Sequence, residues 1–149
     1  EGIRRRVAAV APDCPVGRAV LRPRLLRDLT AGSRRSVAEL RGRRVLAVSG
    51  IGNPESFHRT LQEAGAILAG RLVYPDHHAF SEEDRRRMGD VARRSEARAI
   101  VTTEKDAVRL EERLPEGCPV MALEVALEIV EGAEALEAAL GVPVGARHG

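Results

Sequence analysis

From Arg44 onward, short apolar runs alternate with stretches in which apolar residues recur every three or four positions. Residues 45–49 form a run suited to a buried parallel strand. Gly50-Ile51-Gly52 breaks it, and Asn53 and Pro54 make a good helix cap and first helical residue. Phe57, Leu61 and Ala64 follow at helical spacing, and Gly65 stops that helix. Residues 67–74 predict a second strand, ended by Pro75. Ser81-Glu82-Glu83-Asp84 opens a second helix that runs to about Ser95. Residues 99–102 predict a third strand, 106–113 a short helix ended at Pro115, and 119–125 a fourth strand. Residues 127–130 extend that strand or turn away, and Ala133–Leu140 is a last helix before Gly141. There is no internal repeat.

The first 44 residues are less regular. Residues 6–11 and 16–21 are short apolar stretches on either side of Pro12-Asp13-Cys14-Pro15, which reads as two extended strands around a turn. Ser36-Val37-Ala38-Glu39 resembles a capping box and predicts a helical turn before Gly42. The organisation expected is a basic arm and inter-domain linker over residues 1–44, then an α/β domain over 45–149. Alternating strands and helices favour a Rossmann-like three-layer α/β/α domain on a small, mostly parallel sheet, preceded by an extended arm. In such a sheet all strand carboxyl ends lie on one edge, where ligands bind. Gly50–Pro54, Asp76–His78 and Thr103–Asp106 each follow a predicted strand, so they should converge there.

A hydrophobic content of 44% is enough for a core, but with 2% aromatic residues it must be built from Ala, Val, Leu and Ile. No apolar run approaches the ~20 residues of a membrane helix, and the patch at residues 7–11 is too short for a signal-peptide core. The chain begins at Glu1 rather than Met, as a piece of a longer protein would. Cys14 and Cys118 lack metal-type spacing and read as free thiols. The net charge of +2 hides an asymmetry: residues 1–44 carry 12 arginines against 4 acidic residues, and residues 104–149 carry 10 acidic against 4 basic. Such an arm suits a membrane surface, nucleic acid or phosphates, or is simply a solvated face. No aromatic residue precedes Phe57, so the arm offers no platform for stacking bases, and nucleic acid is not expected.

The 24 basic residues include a single lysine, Lys105, in Thr103-Glu104-Lys105-Asp106. A lysine ammonium is a compact point charge with three donors, suited to phosphate. Equally, Thr103 can cap a helix, Glu104 and Asp106 can favour its dipole, and Lys105 can pair with one of them. Gly50, Gly52 and Asn53 can present backbone N–H groups to an anion at a helix start, or merely make a tight turn. Asp76-His77-His78 holds two of the four histidines; Asp beside His suits acid–base work or a metal, though a closed metal site needs more ligands. There is no Gly-x-x-x-x-Gly-Lys-Ser/Thr loop, so a phosphate cradle for a nucleotide would have to come from elsewhere.

Residues 42–47 running into Gly50-Ile51-Gly52-Asn53-Pro54 with Phe57, then Pro75-Asp76-His77-His78 with Phe80, then residues 103–110 resemble, in this order, the C-terminal half of the tetraacyldisaccharide 4'-kinase (lipid A 4'-kinase) family. The resemblance implies transfer of the ATP γ-phosphate to the 4'-hydroxyl of a lipid A disaccharide precursor, with Mg2+, at the cytoplasmic face of the bacterial inner membrane. It implies that ATP and Mg2+ are bound mainly by an N-terminal P-loop domain outside this chain, joined through a two-stranded linker. His77, after Asp76, matches the catalytic histidine and would orient or tune an aspartate base from the other domain; no metal ligand is assigned. Gly50, Gly52, Asn53, Thr103, Glu104, Lys105 and Asp106 are the candidate cofactor-facing residues. Arg109 stands where the family often has Lys. On this reading the chain is inactive alone. A metal-dependent phosphoesterase using Asp76-His77-His78 and a non-catalytic phosphate- or nucleotide-binding module are the alternatives.

Overall fold

The computed structural model describes residues 2–141. The chain divides into a larger unit, Pro23–Ala126, and a smaller one formed by the described residues up to Arg22 and from Leu127 onward. Part of the expected arm therefore lies inside the larger unit.

Six strands form one sheet: β1 (Arg18–Asp28), β2 (Ser33–Arg35), β3 (Arg44–Ser49), β4 (Ile67–Val73), β5 (Ala99–Thr103) and β6 (Val120–Glu131), in the order β2-β1-β6-β5-β3-β4. β3 pairs in parallel with β4 and β5, and β5 with β6, while β1 and β2 are antiparallel. The predicted mostly parallel α/β sheet is thus present. Its strands alternate between two apolar faces, as the two-residue period of a pleated strand requires. Val45, Ala47, Val101 and Met121 pack with Phe57 and Leu61 of α2 (Pro54–Glu63) on one side. Leu46, Val48, Ile100 and Val120 pack on the other side with Met88 and Ala92 of α3 (Glu82–Arg94) and Leu110 of α4 (Glu104–Leu110). Burying each such side chain stabilises the fold by about 1.5–3 kcal/mol.

Helix ends follow the chemistry of their residues. Asn53 Oδ1 accepts from Ser56 N at 3.1 Å, with Pro54 opening the helix. At its end Gly65, with φ of 89°, lets its N–H reach Gln62 O and Ala66 N reach Leu61 O, the paired bonds of a Schellman stop. The end of α3 repeats this arrangement with Glu96 at φ of 54°: Glu96 N donates to Arg93 O and Ala97 N to Ala92 O. Ser81 and Asp84 cap the start of α3 reciprocally. The predicted turn near Ser36 is a short 3-10 helix, Val37–Leu40, with Ser36 accepting from Ala38 N, but Glu39 turns to Arg35 instead of closing a capping box.

The smaller unit corrects the sequence reading. Gly2–Val10 is a helix, α1, not a strand. Its Arg and Ala residues are good helix formers, and Ile3, Val7 and Val10 recur at helical spacing. The second expected strand is real but starts later and runs longer, as β1. Of the two courses left open for residues 127–130, extension is the one found, β6 reaching Glu131, and α5 (Ala133–Leu140) follows. The charge asymmetry has a local answer: Arg4 and Arg18 each reach Glu131 at 2.8 Å, and Arg22 reaches Glu128 at 2.9 Å. Hydrogen bonding from Arg18 is the main cause holding the Glu131 carboxyl below its usual range. Among the described residues no helix is long and apolar enough to cross a membrane.

Candidate functional site

The loop after β3, the loop after β4 and the start of α4 meet at the carboxyl edge of three neighbouring strands. Gly50 leaves β3 in a space with no room for a side chain: a Cβ there would lie 3.1 Å from Pro75 O and 3.2 Å from Asp106 Oδ1. Its N–H donates to Asp106 Oδ2 at 2.8 Å. Thr103 Oγ1 donates to the same oxygen at 2.8 Å and accepts from Asp106 N at 3.1 Å, so it is the cap of α4. Arg109 donates to Asp106 Oδ1 and stands 3.5 Å from Gly50 O. Asp106 is fully buried. It ties the glycine loop to α4, and the predicted helix accordingly starts two residues early, at Glu104.

The neighbouring residue faces outward. Lys105 Nζ donates to Asp76 Oδ1 at 3.0 Å and lies 3.4 Å from His77 Nε2. Asp76 Oδ1 also accepts from His77 N at 3.0 Å, while its Oδ2 stands 3.8 Å from His77 Nε2. The hydrogen bond from Lys105 is the main cause holding the Asp76 carboxyl below its usual range; burial opposes it, and the charges of His77 and Lys105 and the His77 N–H aid it. His77 has φ of 61°, the left-handed region that non-glycine residues enter at some cost and that recurs at functional sites. Its ring is 72% exposed. The exposed Gly52 leaves open space beside this group, its absent Cβ lying 3.9 Å from Asp76 Oδ2.

His78 belongs to a different environment. Its ring stacks on Tyr74 at 4.8 Å, meets Phe80 edge-on, and places Nε2 2.9 Å from Asp84 Oδ2. Burial raises the Asp84 carboxyl, but hydrogen bonds from His78 and Ser81 outweigh it and hold it below the ordinary range. The two adjacent histidines are therefore not one ligand set. Among the described residues no group of three or more His, Cys, Asp or Glu side chains is arranged to hold a metal.

Of the nine candidate residues, Asp76, His77 and Lys105 form one exposed cluster, with the exposed Gly52 near it in space and the exposed Glu104 next to Lys105 in the chain. Asn53 and Thr103 cap helices, Asp106 is buried, and the Gly50 N–H already has its acceptor. Sequence reasoning missed Asp84, visible only as a capping residue, and the grip of Arg109 on Asp106, whose signal is their spacing of three on a helix. Phe57, Tyr74 and Phe80, which flank the clusters in sequence, are buried core beneath them.

A concavity of about 390 Å³ lies between α3 and the segment after α4. Arg93 pairs with Asp90 at 3.0 Å, Arg113 with Glu82 at 2.9 Å, and Arg85 with the carbonyls of Phe80 and Arg113. Three of the four arginines that line this hollow are so engaged, Arg86 being the exception.

The fold is an open, mostly parallel α/β domain with its polar loops gathered at the carboxyl edge, the edge at which such sheets bind ligands. Residues 3–142 match the family model described as Tetraacyldisaccharide-1-P 4'-kinase, and the chain belongs to that family. It is similar to the tetraacyldisaccharide 4'-kinase of Methylobacterium radiotolerans, 42% identical over 131 residues, which are 85% of this chain and 40% of that protein. The corresponding protein of Rhodospirillum centenum is 48% identical over 91 residues, 61% of this chain and 25% of the relative. The chain thus spans well under half the length of these relatives. The crystal structure of the apo form LpxK from Aquifex aeolicus in complex with ATP matches with a TM-score of 0.50 and 21% identity, over 83% of this chain and 34% of that one. At that identity the likeness bears on the fold.

Proposed function

We propose that this chain is the carboxyl-terminal part of a lipid A 4'-kinase, which transfers the γ-phosphate of ATP to the 4'-hydroxyl of the tetraacyldisaccharide 1-phosphate precursor. The observation that carries the reading is the exposed Asp76–His77–Lys105 cluster at the carboxyl edge of a chain belonging to this family. Phosphoryl transfer rests on positioning and electrostatics more than on covalent chemistry by the protein. His77 offers a ring donor to anionic oxygen and Lys105 a positive charge beside it, so the residues present fit a carboxylate or a phosphate. They do not make a site for Mg2+, which this reading assigns, with most of the ATP contacts, to a P-loop domain elsewhere in the full protein. Bound ATP supplies the phosphoryl group.

Within this division His77 orients the base that accepts the proton of the sugar hydroxyl, and Asp76 holds the backbone of His77 in its unusual conformation. Asp106, Thr103 and Arg109 fix the glycine loop against α4. Closure of the two domains would bring His77 over the reacting groups and exclude water. The enzyme would act peripherally at the cytoplasmic face of the inner membrane, where its lipid substrate lies. Arg4, Arg18 and Arg22 are paired with glutamates, so lipid contact is better sought elsewhere.

The test is phosphate transfer from labelled ATP to the tetraacyldisaccharide precursor, measured for the full-length protein and for the 149-residue chain. Transfer by the full-length protein alone is expected. Transfer by this chain would overturn the two-domain reading, and none by the full-length protein would overturn the kinase assignment.

A further inference from the structure

We propose that Lys105 is a positioning residue that fixes the tautomer of His77, rather than a contact to phosphate. This inference rests on the reading of His77 given above. An ammonium carries three donors and no acceptor. With Lys105 Nζ 3.4 Å from His77 Nε2, the ring nitrogen facing it presents its lone pair, and the proton of a neutral ring sits on Nδ1. Lys105 is held in this place by Asp76 Oδ1 at 3.0 Å, and the same oxygen accepts from His77 N at 3.0 Å. One carboxylate therefore sets both the backbone of His77, at φ of 61°, and the cation that sets its ring.

The consequence is chemical. With Nε2 occupied, His77 offers an N–H donor at Nδ1 and no free lone pair. Its fitting counterpart is an anionic oxygen acceptor, such as a carboxylate that serves as the base. A histidine of this kind orients and polarises a base without itself accepting the substrate proton. In a chain whose other basic residues are arginine, the single lysine is the compact cation able to sit between Asp76 and the ring. A planar guanidinium spreads its donors in a fixed fork.

Two readouts test this. Nitrogen-15 NMR of the ring nitrogens, above pH 8 where an ordinary imidazole is neutral, should show His77 protonated at Nδ1 in the native chain. Lys105→Met should move the population toward protonation at Nε2, with the circular dichroism unchanged. In the full-length enzyme Lys105→Met should lower kcat roughly tenfold, about the worth of one charge-assisted hydrogen bond, with KM for ATP held. Lys105→Arg should recover part of that loss. An unchanged tautomer in the folded Lys105→Met protein overturns the proposal, as does a raised KM for ATP at unchanged kcat, the mark of a phosphate contact. Loss of the catalytic role is read separately: if His77→Ala leaves turnover intact, the functional reading fails whatever the ring nitrogens show.

Discussion

Replacing Asp106 by alanine should be the most damaging single change at the carboxyl edge that touches no ligand. The carboxylate is fully buried and accepts from Gly50 N, Thr103 Oγ1 and Arg109. Alanine leaves the Gly50 N–H without its partner at a cost of about 1–3 kcal/mol. It also leaves Arg109, whose side chain is 22% exposed and whose Nε is buried without a partner, with an uncompensated charge. Breaking a buried ion pair from one side costs about 3–5 kcal/mol. The terms overlap, because one carboxylate makes all these bonds, so the expected loss is about 3–4 kcal/mol. Against a typical stability of about 5–15 kcal/mol that is large but survivable. With a urea slope of about 2 kcal/mol/M, the midpoint should fall by roughly 1.5–2 M. A double-mutant cycle with Arg109→Leu sharpens the test. Removing both partners should be less harmful than the sum of the single changes, with a coupling of about 1–3 kcal/mol. A loss under about 1 kcal/mol, or strict additivity with Arg109→Leu, would refute the view that Asp106 ties the loop to α4.

His58 is buried, and burial together with the charge of Arg71 holds its imidazole below the ordinary 6.5, only partly offset by Glu55. The unfolded chain then binds the proton more readily, so the contribution is complete above pH 6.5 and lost as pH falls below it; denaturant midpoints of native protein and His58→Leu between pH 8 and 5 should show a shallower pH dependence in the variant. Glu96→Gly should stabilise by roughly 0.5–1 kcal/mol in thermal melts, because glycine takes the left-handed stop of α3 without the Cβ penalty. Asn53→Ala should cost about 1 kcal/mol by removing the cap of α2, measured by urea unfolding.

The larger unit was legible because its signals are local. Short apolar runs, an Asn-Pro helix start, a Gly stop and an acidic first turn need only their neighbours in sequence, and all mark real element ends. That the polar clusters converge was legible too, since a parallel sheet sends every strand's carboxyl end to one edge. Which partner each side chain takes was not. Asp106 looks like an exposed first-turn carboxylate until Gly50, 56 residues away, packs against it. Lys105 read equally as a phosphate contact or as a partner of its own helix's carboxylates, and it crosses instead to Asp76. Residues 6–11, read as a strand, fall largely in the helix Gly2–Val10, because a short Val- and Ala-containing stretch does not distinguish strand from helix. Glu96 in a glycine conformation leaves no trace in composition.

The central claim is that His77 acts in phosphoryl transfer, and the direct measurement is turnover of the full-length enzyme on the tetraacyldisaccharide precursor with His77→Ala beside the native protein. A fall in kcat of roughly 10²–10⁴, in a folded variant that still binds ATP, is the predicted result. Turnover within about twofold of native would contradict the account and leave residues 76–78 as a structural turn.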